Sequence, residues 1–295
     1  MQQPMTGGGE GGGGRIRRGF RLVKVSWGIV KAEKGLMLLP VISVICALLI
    51  MAAMTGLAYG LGGFKDIDEV RGAADLPVID YVLFFVGYLL LYFVGIYFNA
   101  VVIGVATIRL KGGDPTLSDG FKLANSKLGK IFGWSLIAAT VGLLLQWLDD
   151  RAGIVGRIVI AIVGFVWSLA TFFVVPVLLY EPVGVFPSLK RSWSIVKQRW
   201  GEQIVGNAAI GIAVFLFAIP VLIVCGLVTA AVPPVGIALF VISIAAMIGI
   251  GGALSGVFNA ALYQFATTGQ AEGGFSQTDL EAAFRPKRKG GFFGG

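Results

Sequence analysis

The chain has 295 residues, 56% of them hydrophobic and only 14% charged, with a net charge of +8. Soluble domains carry roughly a quarter charged residues, so this composition excludes a polypeptide meant to be surrounded by water. There is no histidine, which removes the commonest general base and metal ligand together. Both cysteines, Cys46 and Cys225, lie inside apolar runs, which argues against a disulfide framework.

Residues 1–18, with Gly7 to Gly14 reading GGGEGGGG, are expected to be a disordered, Gly-rich basic tail. A membrane domain is expected over 19–268. It opens on a helix whose apolar stripe is Phe20, Val23, Trp27 and Val30, flanked by Arg21, Lys24 and Lys31. Crossing about 30 Å of hydrocarbon takes about 20 apolar residues. Runs of that kind fall at about 36–60, 78–108, 131–148, 154–180, 203–231 and 233–266, which gives six spans. The boundary between the last two rests on Pro233-Pro234, which stops one helix and starts the next. A cleaved secretory signal fits the first run badly, because the run is longer than an h-region and some 35 residues precede it. Asp114-Pro115-Thr116 reads as a turn with Thr116 or Ser118 as the N-cap of a following helix. Residues 269–295 are expected to be a flexible tail.

Of the 24 basic residues, all but Lys65, Arg71, Arg151 and Arg157 lie in the N-terminal arm, the 109–130 and 181–202 connections, and the C-terminal tail. By the positive-inside rule these segments, with both termini, are cytoplasmic, and the protein is a multi-pass component of a plasma or inner membrane.

The stretch SWGIVKAEKG from Ser26 returns as SWSIVKQRWG from Ser192, 166 residues on. That second copy carries Lys190, Arg191, Trp193, Lys197, Arg199 and Trp200. A fainter copy begins at Gly120, where GFKL echoes the GFRL of Gly19 to Leu22, with Lys122 and Lys127 on its basic side. A helix with aromatic residues on one side and cations on the other suits a membrane interface, and its cations suit anionic headgroups. FNA at Phe98 recurs at Phe258, and Thr107 at Thr267, each 160 residues apart. The expected fold class is therefore all-α: a polytopic helical bundle of six transmembrane helices with three cytoplasmic interfacial amphipathic helices, arranged as a threefold parallel repeat. Recurrence of Trp, Lys and aliphatic residues by composition alone is the competing account.

No ionisable group stands near the middle of a span, which disfavours a buried-carboxylate proton path. Asn99, Gln146, Asn207, Asn259 and Gln264 are the intramembrane amides, and interhelical hydrogen bonding is their usual role. The alternative is a polar path near Asn99 and Asn259, as a permease or lipid translocator would need. Gly252, Gly256 and Ala260, and also Gly164 and Ser168, recur at every fourth residue, which suits close packing within the chain or a dimer seam. GIGGAL from Gly249 and GGDPTLSDGFK from Gly112 fail as nucleotide motifs, and no GxSxG is present. The acidic loop at Lys65 to Val70 reads as solvated. No cofactor and no metal site is expected.

The segment Tyr180 to Gly201, YEPVGVFPSLKRSWSIVKQRWG, resembles the cytoplasmic loop of bacterial proteins related to the membrane domain of glycerophosphoryl diester phosphodiesterases. With FNA from Phe98, GGDPT from Gly112 and AAFRPKRK from Ala282, the whole is similar to an uncharacterised six-span family of unknown function. The resemblance implies an all-helical integral membrane protein without an established activity, matched at Glu181, Arg191, Ser192 and Trp193. No phosphodiesterase catalytic domain is expected with it, since the acid and histidine cluster of such a metal site is not found in these residues. The expectation is a non-enzymatic membrane protein in a scaffold or accessory role. Its partners would be anionic lipid headgroups, with a homo-oligomer or an unidentified membrane partner left open and nucleic acid excluded.

Overall fold

The computed structural model describes residues 12–61, 78–199, 205–278 and 280. Among the described residues the regular structure is entirely α-helical. In order it consists of α1 (Gly12–Ala32), α2 (Lys34–Gly60), α3 (Val78–Leu110), α4 (Leu117–Ser126), α5 (Leu128–Arg151), α6 (Ile154–Thr171), α7 (Val174–Tyr180), α8 (Val185–Arg199), α9 (Val205–Ala231) and α10 (Pro233–Thr268). Among the described residues five stretches are long and apolar enough to cross a membrane: Leu38–Gly60, Val78–Leu110, Leu128–Arg151, Ile154–Tyr180 and Pro233–Thr268. The chain has the make-up of a multi-pass membrane protein. The remaining expected span, 203–231, is occupied by α9, in which Ala218–Ala231 forms a shorter apolar helix.

Local chemistry sets several boundaries. Thr116 caps α4, its hydroxyl accepting from the Asp119 amide while the Asp119 carboxylate accepts from the Thr116 amide. Pro233 and Pro234 open α10, where a missing N–H costs nothing, and Gly269 closes it at φ 76°, a left-handed position that favours glycine. α1 starts at Gly12 and so takes in residues that composition assigns to the tail. The 154–180 run, expected as one span, is broken at Phe172–Phe173 into α6 and α7.

The C-terminal thirds of α3 and α10 form the centre. From Phe98 to Ala106 and from Phe258 to Ala266 every residue is buried except the asparagine in second place, so two segments 160 residues apart share one burial pattern. They also touch: a Cβ on Gly256 would stand 2.6 Å from Val102 Cγ1 and 3.1 Å from Asn99 Oδ1. Gly256 thus serves packing within the chain, while Gly252 and Gly164 face open space. Helix α2 lies against both, meeting α10 where Gly249 abuts Pro40 and α3 where Gly87 abuts Met54. Helix α5 packs on α3, with the Tyr88 and Tyr92 hydroxyls over Gly142, and on α6 through the stacked pair Trp134 and Trp167.

Each short helix lies on a long one that precedes it around the bundle. Helix α4 rests on α3, α8 on α6 and α7, and α1 on α9 and α10. Helices α1 and α8 bury the same positions: Leu22 and Ser188, Ser26 and Ser192, Ile29 and Ile195, Val30 and Val196 are pairwise 166 residues apart and all buried. This face is turned from the expected stripe. Val23 and Trp27 sit at its edge, half-buried against the core, and Trp193 stays 42% exposed. The physical reason is size: a serine at closest approach lets two backbones draw together, which an indole would prevent.

Candidate functional site

The most connected polar group in the fold lies where α7, α8 and α10 meet, and it begins with Pro176. In a continuous helix residue 176 would donate its amide to the Phe172 carbonyl, but proline has no N–H and its ring crowds that carbonyl. The helix breaks there, eight residues and about 12 Å before the end of α7 at 1.5 Å per residue. A broken backbone inside an apolar layer is tolerated only where other groups satisfy it. Here two other helices do so. Asn259 Nδ2 of α10 donates to the Phe172 carbonyl at 2.9 Å, and the Phe173 amide donates to Ser192 Oγ of α8 at 3.0 Å. Phe173 and Ser192 are fully buried.

Immediately after α7, at its C-cap, Glu181 receives two donors. Arg191 Nε of α8 lies 3.0 Å from both of its carboxylate oxygens, and the Tyr263 hydroxyl of α10 donates to Oε1 at 3.1 Å. Tyr263 is buried, its ring stacked on Tyr180 at 6.3 Å and tilted against Phe173 at 6.1 Å. Beside it, Gln264 Nε2 donates to the Thr107 carbonyl of α3 at 3.5 Å, leaving its buried Oε1 without a partner. Helices α7, α8 and α10 are thus joined by side chains at two levels, with α3 attached at the margin.

A second arginine–glutamate group lies at the end of α3. Arg109 Nε stands 3.3 Å from Glu33 Oε1 at the α1–α2 corner, and Nη1 stands 3.2 Å from Asp114 Oδ1 and 3.4 Å from the Gly113 carbonyl. The adjoining helix α4 is held to α3 by contact of glycines. A Cβ on Gly104 would lie 3.4 Å from Gly120 Cα, and one on Gly120 would lie 2.6 Å from Val105 Cγ2 and 2.9 Å from the Val101 carbonyl. The Tyr97 hydroxyl also donates to Asn125 Oδ1 at 2.7 Å. Hydrogen bonds from Thr116, side chain and then backbone, hold the Asp119 carboxyl below its usual range.

The residues singled out from sequence divide between these groups and the surface. Lys24, Lys31, Lys122, Lys190 and Lys197 are exposed, as is Arg21, and Lys127 is half-buried between α4 and α5. Arg191 is tied to Glu181, so it is not a free surface cation. Trp200 lies outside the described residues, as do the side chains of Arg199 and Asn207 and the acidic loop at 65–70. Of the amides, Asn259 and Gln264 bond across helices, whereas Asn99 packs against Gly256. Sequence reasoning passed over Tyr180, Tyr263 and the role of Pro176. The proline was visible, but which side chain would meet its orphaned carbonyl was not, because Asn259 is 87 residues away from Phe172. Among the described residues no set of three or more Cys, Asp and Glu side chains is placed to hold a metal ion.

The model of a family of unknown function, DUF6159, matches residues 78–275. That is more than half of the chain, which therefore belongs to the family. The match runs from the start of α3 to the segment that follows α10. No curated protein matches the chain.

Proposed function

We propose, from membership of this family and the packing above, that the protein is a non-enzymatic, six-span component of a bacterial plasma membrane with both termini in the cytoplasm. Its three amphipathic helices α1, α4 and α8 engage anionic lipid, and they give it a scaffold or accessory role. Three parallel units, α1–α3, α4–α7 and α8–α10, each consist of an interfacial helix and a two-span hairpin. The observation that carries this reading is the closure of the packing: α4 on α3, α8 on α6 and α7, and α1 on α10. Each interfacial helix is seated on the preceding hairpin, and the first is seated on the last. The one-for-one burial of α1 and α8 supports the same register. Lys24, Lys31, Lys190 and Lys197 then face outwards at equivalent places, each near the membrane surface adding about 1 kcal/mol of attraction to anionic lipid.

The likeness of the Glu181 to Trp193 loop to the membrane domain of glycerophosphoryl diester phosphodiesterases belongs to this proposal. The permease reading has less beneath it, because the Asn259 amide is committed to the Phe172 carbonyl. The test places the protein in bilayer discs containing brominated phosphatidylglycerol or brominated phosphatidylcholine. The contribution of Trp193 is read as the difference between the chain and Trp193→Phe. Stronger quenching by the anionic lipid is expected, and Lys190→Gln with Lys197→Gln should reduce it to the level of the zwitterionic lipid. Equal quenching by both lipids in the unsubstituted chain would remove the reading.

A further inference from the structure

The two arginine–glutamate groups are built alike and differ at one edge. Arg109 spends Nε on Glu33 and closes its Nη side with Asp114 and the Gly113 carbonyl. Arg191 spends Nε on Glu181, and among the described residues Nη1 and Nη2 have no hydrogen bond or ion pair, its side chain being 42% exposed. A guanidinium presents five N–H donors in one plane, so four remain on a flat, accessible edge. The edge is also fixed in direction. Glu181 is held by the Tyr263 hydroxyl as well as by Arg191, and Tyr263 is locked by its rings with Tyr180 and Phe173.

An oriented pair of donors of this geometry matches a doubly accepting oxyanion. Glu181 offsets the charge of Arg191 itself, and the exposed Lys190 and Lys197, one residue before and six after it on α8, leave the neighbourhood positive. We infer that the Nη edge of Arg191 is a phosphate-binding site. Its ligand is the phosphate of an anionic lipid headgroup or of a free phosphate ester, with Lys190 adding charge. The inference rests on the reading above, in which α8 lies at headgroup level, and narrows it from a charged surface to one oriented subsite. The Glu181–Arg191 pair then positions the site and is kept when phosphate binds, because Nε and the Nη edge serve different partners.

Phosphorus NMR on the full chain in micelles tests this with inorganic phosphate, glycerol 3-phosphate and dihexanoyl phosphatidylglycerol as probes. Saturable line broadening is expected, weakened about tenfold by Arg191→Lys, which loses the bidentate edge, and unchanged by Arg109→Lys. Broadening confined to the phosphatidylglycerol assigns a lipid headgroup, and broadening of all three assigns free phosphate. No saturable broadening, or equal binding by Arg191→Lys, overturns the site. Should that variant unfold, butanedione modification of Arg191 in the unsubstituted chain decides: protection by the probe is expected, and its absence overturns the site. A chain that binds phosphate at Arg191 but shows no lipid-charge dependence at Trp193 keeps this site and loses the lipid reading. The reverse result loses the site alone.

Discussion

Helix α4 on α3 and helix α8 on the interrupted pair α6–α7 meet the same requirement, seating a short helix against a long apolar stretch, by different means. At α4 the two backbones approach through Gly104 and Gly120, and the nearby arginine is engaged through both Nε and Nη1. At α8 the long helix itself is broken, and its freed amide and carbonyl are taken up by Ser192 and Asn259. The first junction gains its fit chiefly from the close approach of two glycines, with the Tyr97–Asn125 hydrogen bond beside it. The second replaces a main-chain bond with two side-chain bonds from different helices, which couples α7, α8 and α10 and leaves one arginine edge open. At the first junction Nη1 of the arginine is spent on Asp114 and the Gly113 carbonyl, and at the second the Nη groups carry no hydrogen bond or ion pair among the described residues.

The contrast breaks first at Gly120. Gly120→Ala drives a Cβ into Val105 and the Val101 carbonyl, and should cost about 3 kcal/mol in thermal unfolding in micelles, the upper part of the range for overpacking. At the other junction Gly184→Ala, where the nearest atom would be Pro187 Cδ at 3.7 Å, should stay within about 0.5 kcal/mol. Next comes Asn259→Ala, expected to cost about 2 kcal/mol because the Phe172 carbonyl is left unpaired. Adding Pro176→Ala should recover part of that loss, since position 176 regains an amide aimed at the same carbonyl. A strictly additive double-mutant cycle would refute the account of the break.

A finer comparison sets Ser192 against its counterpart Ser26. Ser192→Ala removes the acceptor of the Phe173 amide and should cost about 1 kcal/mol. Ser26 Oγ is buried without a partner among the described residues, so Ser26→Ala should be neutral or slightly stabilising in the same assay. The smallest effect concerns pH. Because hydrogen bonds lower the Asp119 pKa in the fold, its contribution is present above the ordinary carboxylate range and lost as pH falls through the lowered value. Amide exchange in α4 should therefore rise on strong acidification. Helix α8, with no acidic residue in its first turn, should not follow it.

Much of the fold was legible because hydropathy and helix chemistry are local. The positions of the five long apolar stretches, the start of α10 at Pro233 and the capping of α4 by Thr116 each depend on residues adjacent in the chain. The buried face of α1 was legible only to within one position, since composition shows a stripe but not which of its members stands at closest approach. Ser26 and Ser192 are silent in any hydrophobic pattern and yet are completely buried.

The sequence by itself determined that this chain is helical, that most of it is apolar enough for hydrocarbon, and where its cations cluster, because these follow from the transfer of each segment taken alone. Only the tertiary structure decided that α6 and α7 are separate helices, that Asn259 answers Pro176, and that Arg191 is held by Glu181 and Tyr263 while Arg109 is closed by Asp114. Those outcomes depend on which helix end lies beside which. Hydrogen bonds and ion pairs over a few ångströms between side chains of different elements leave no periodic trace in the chain.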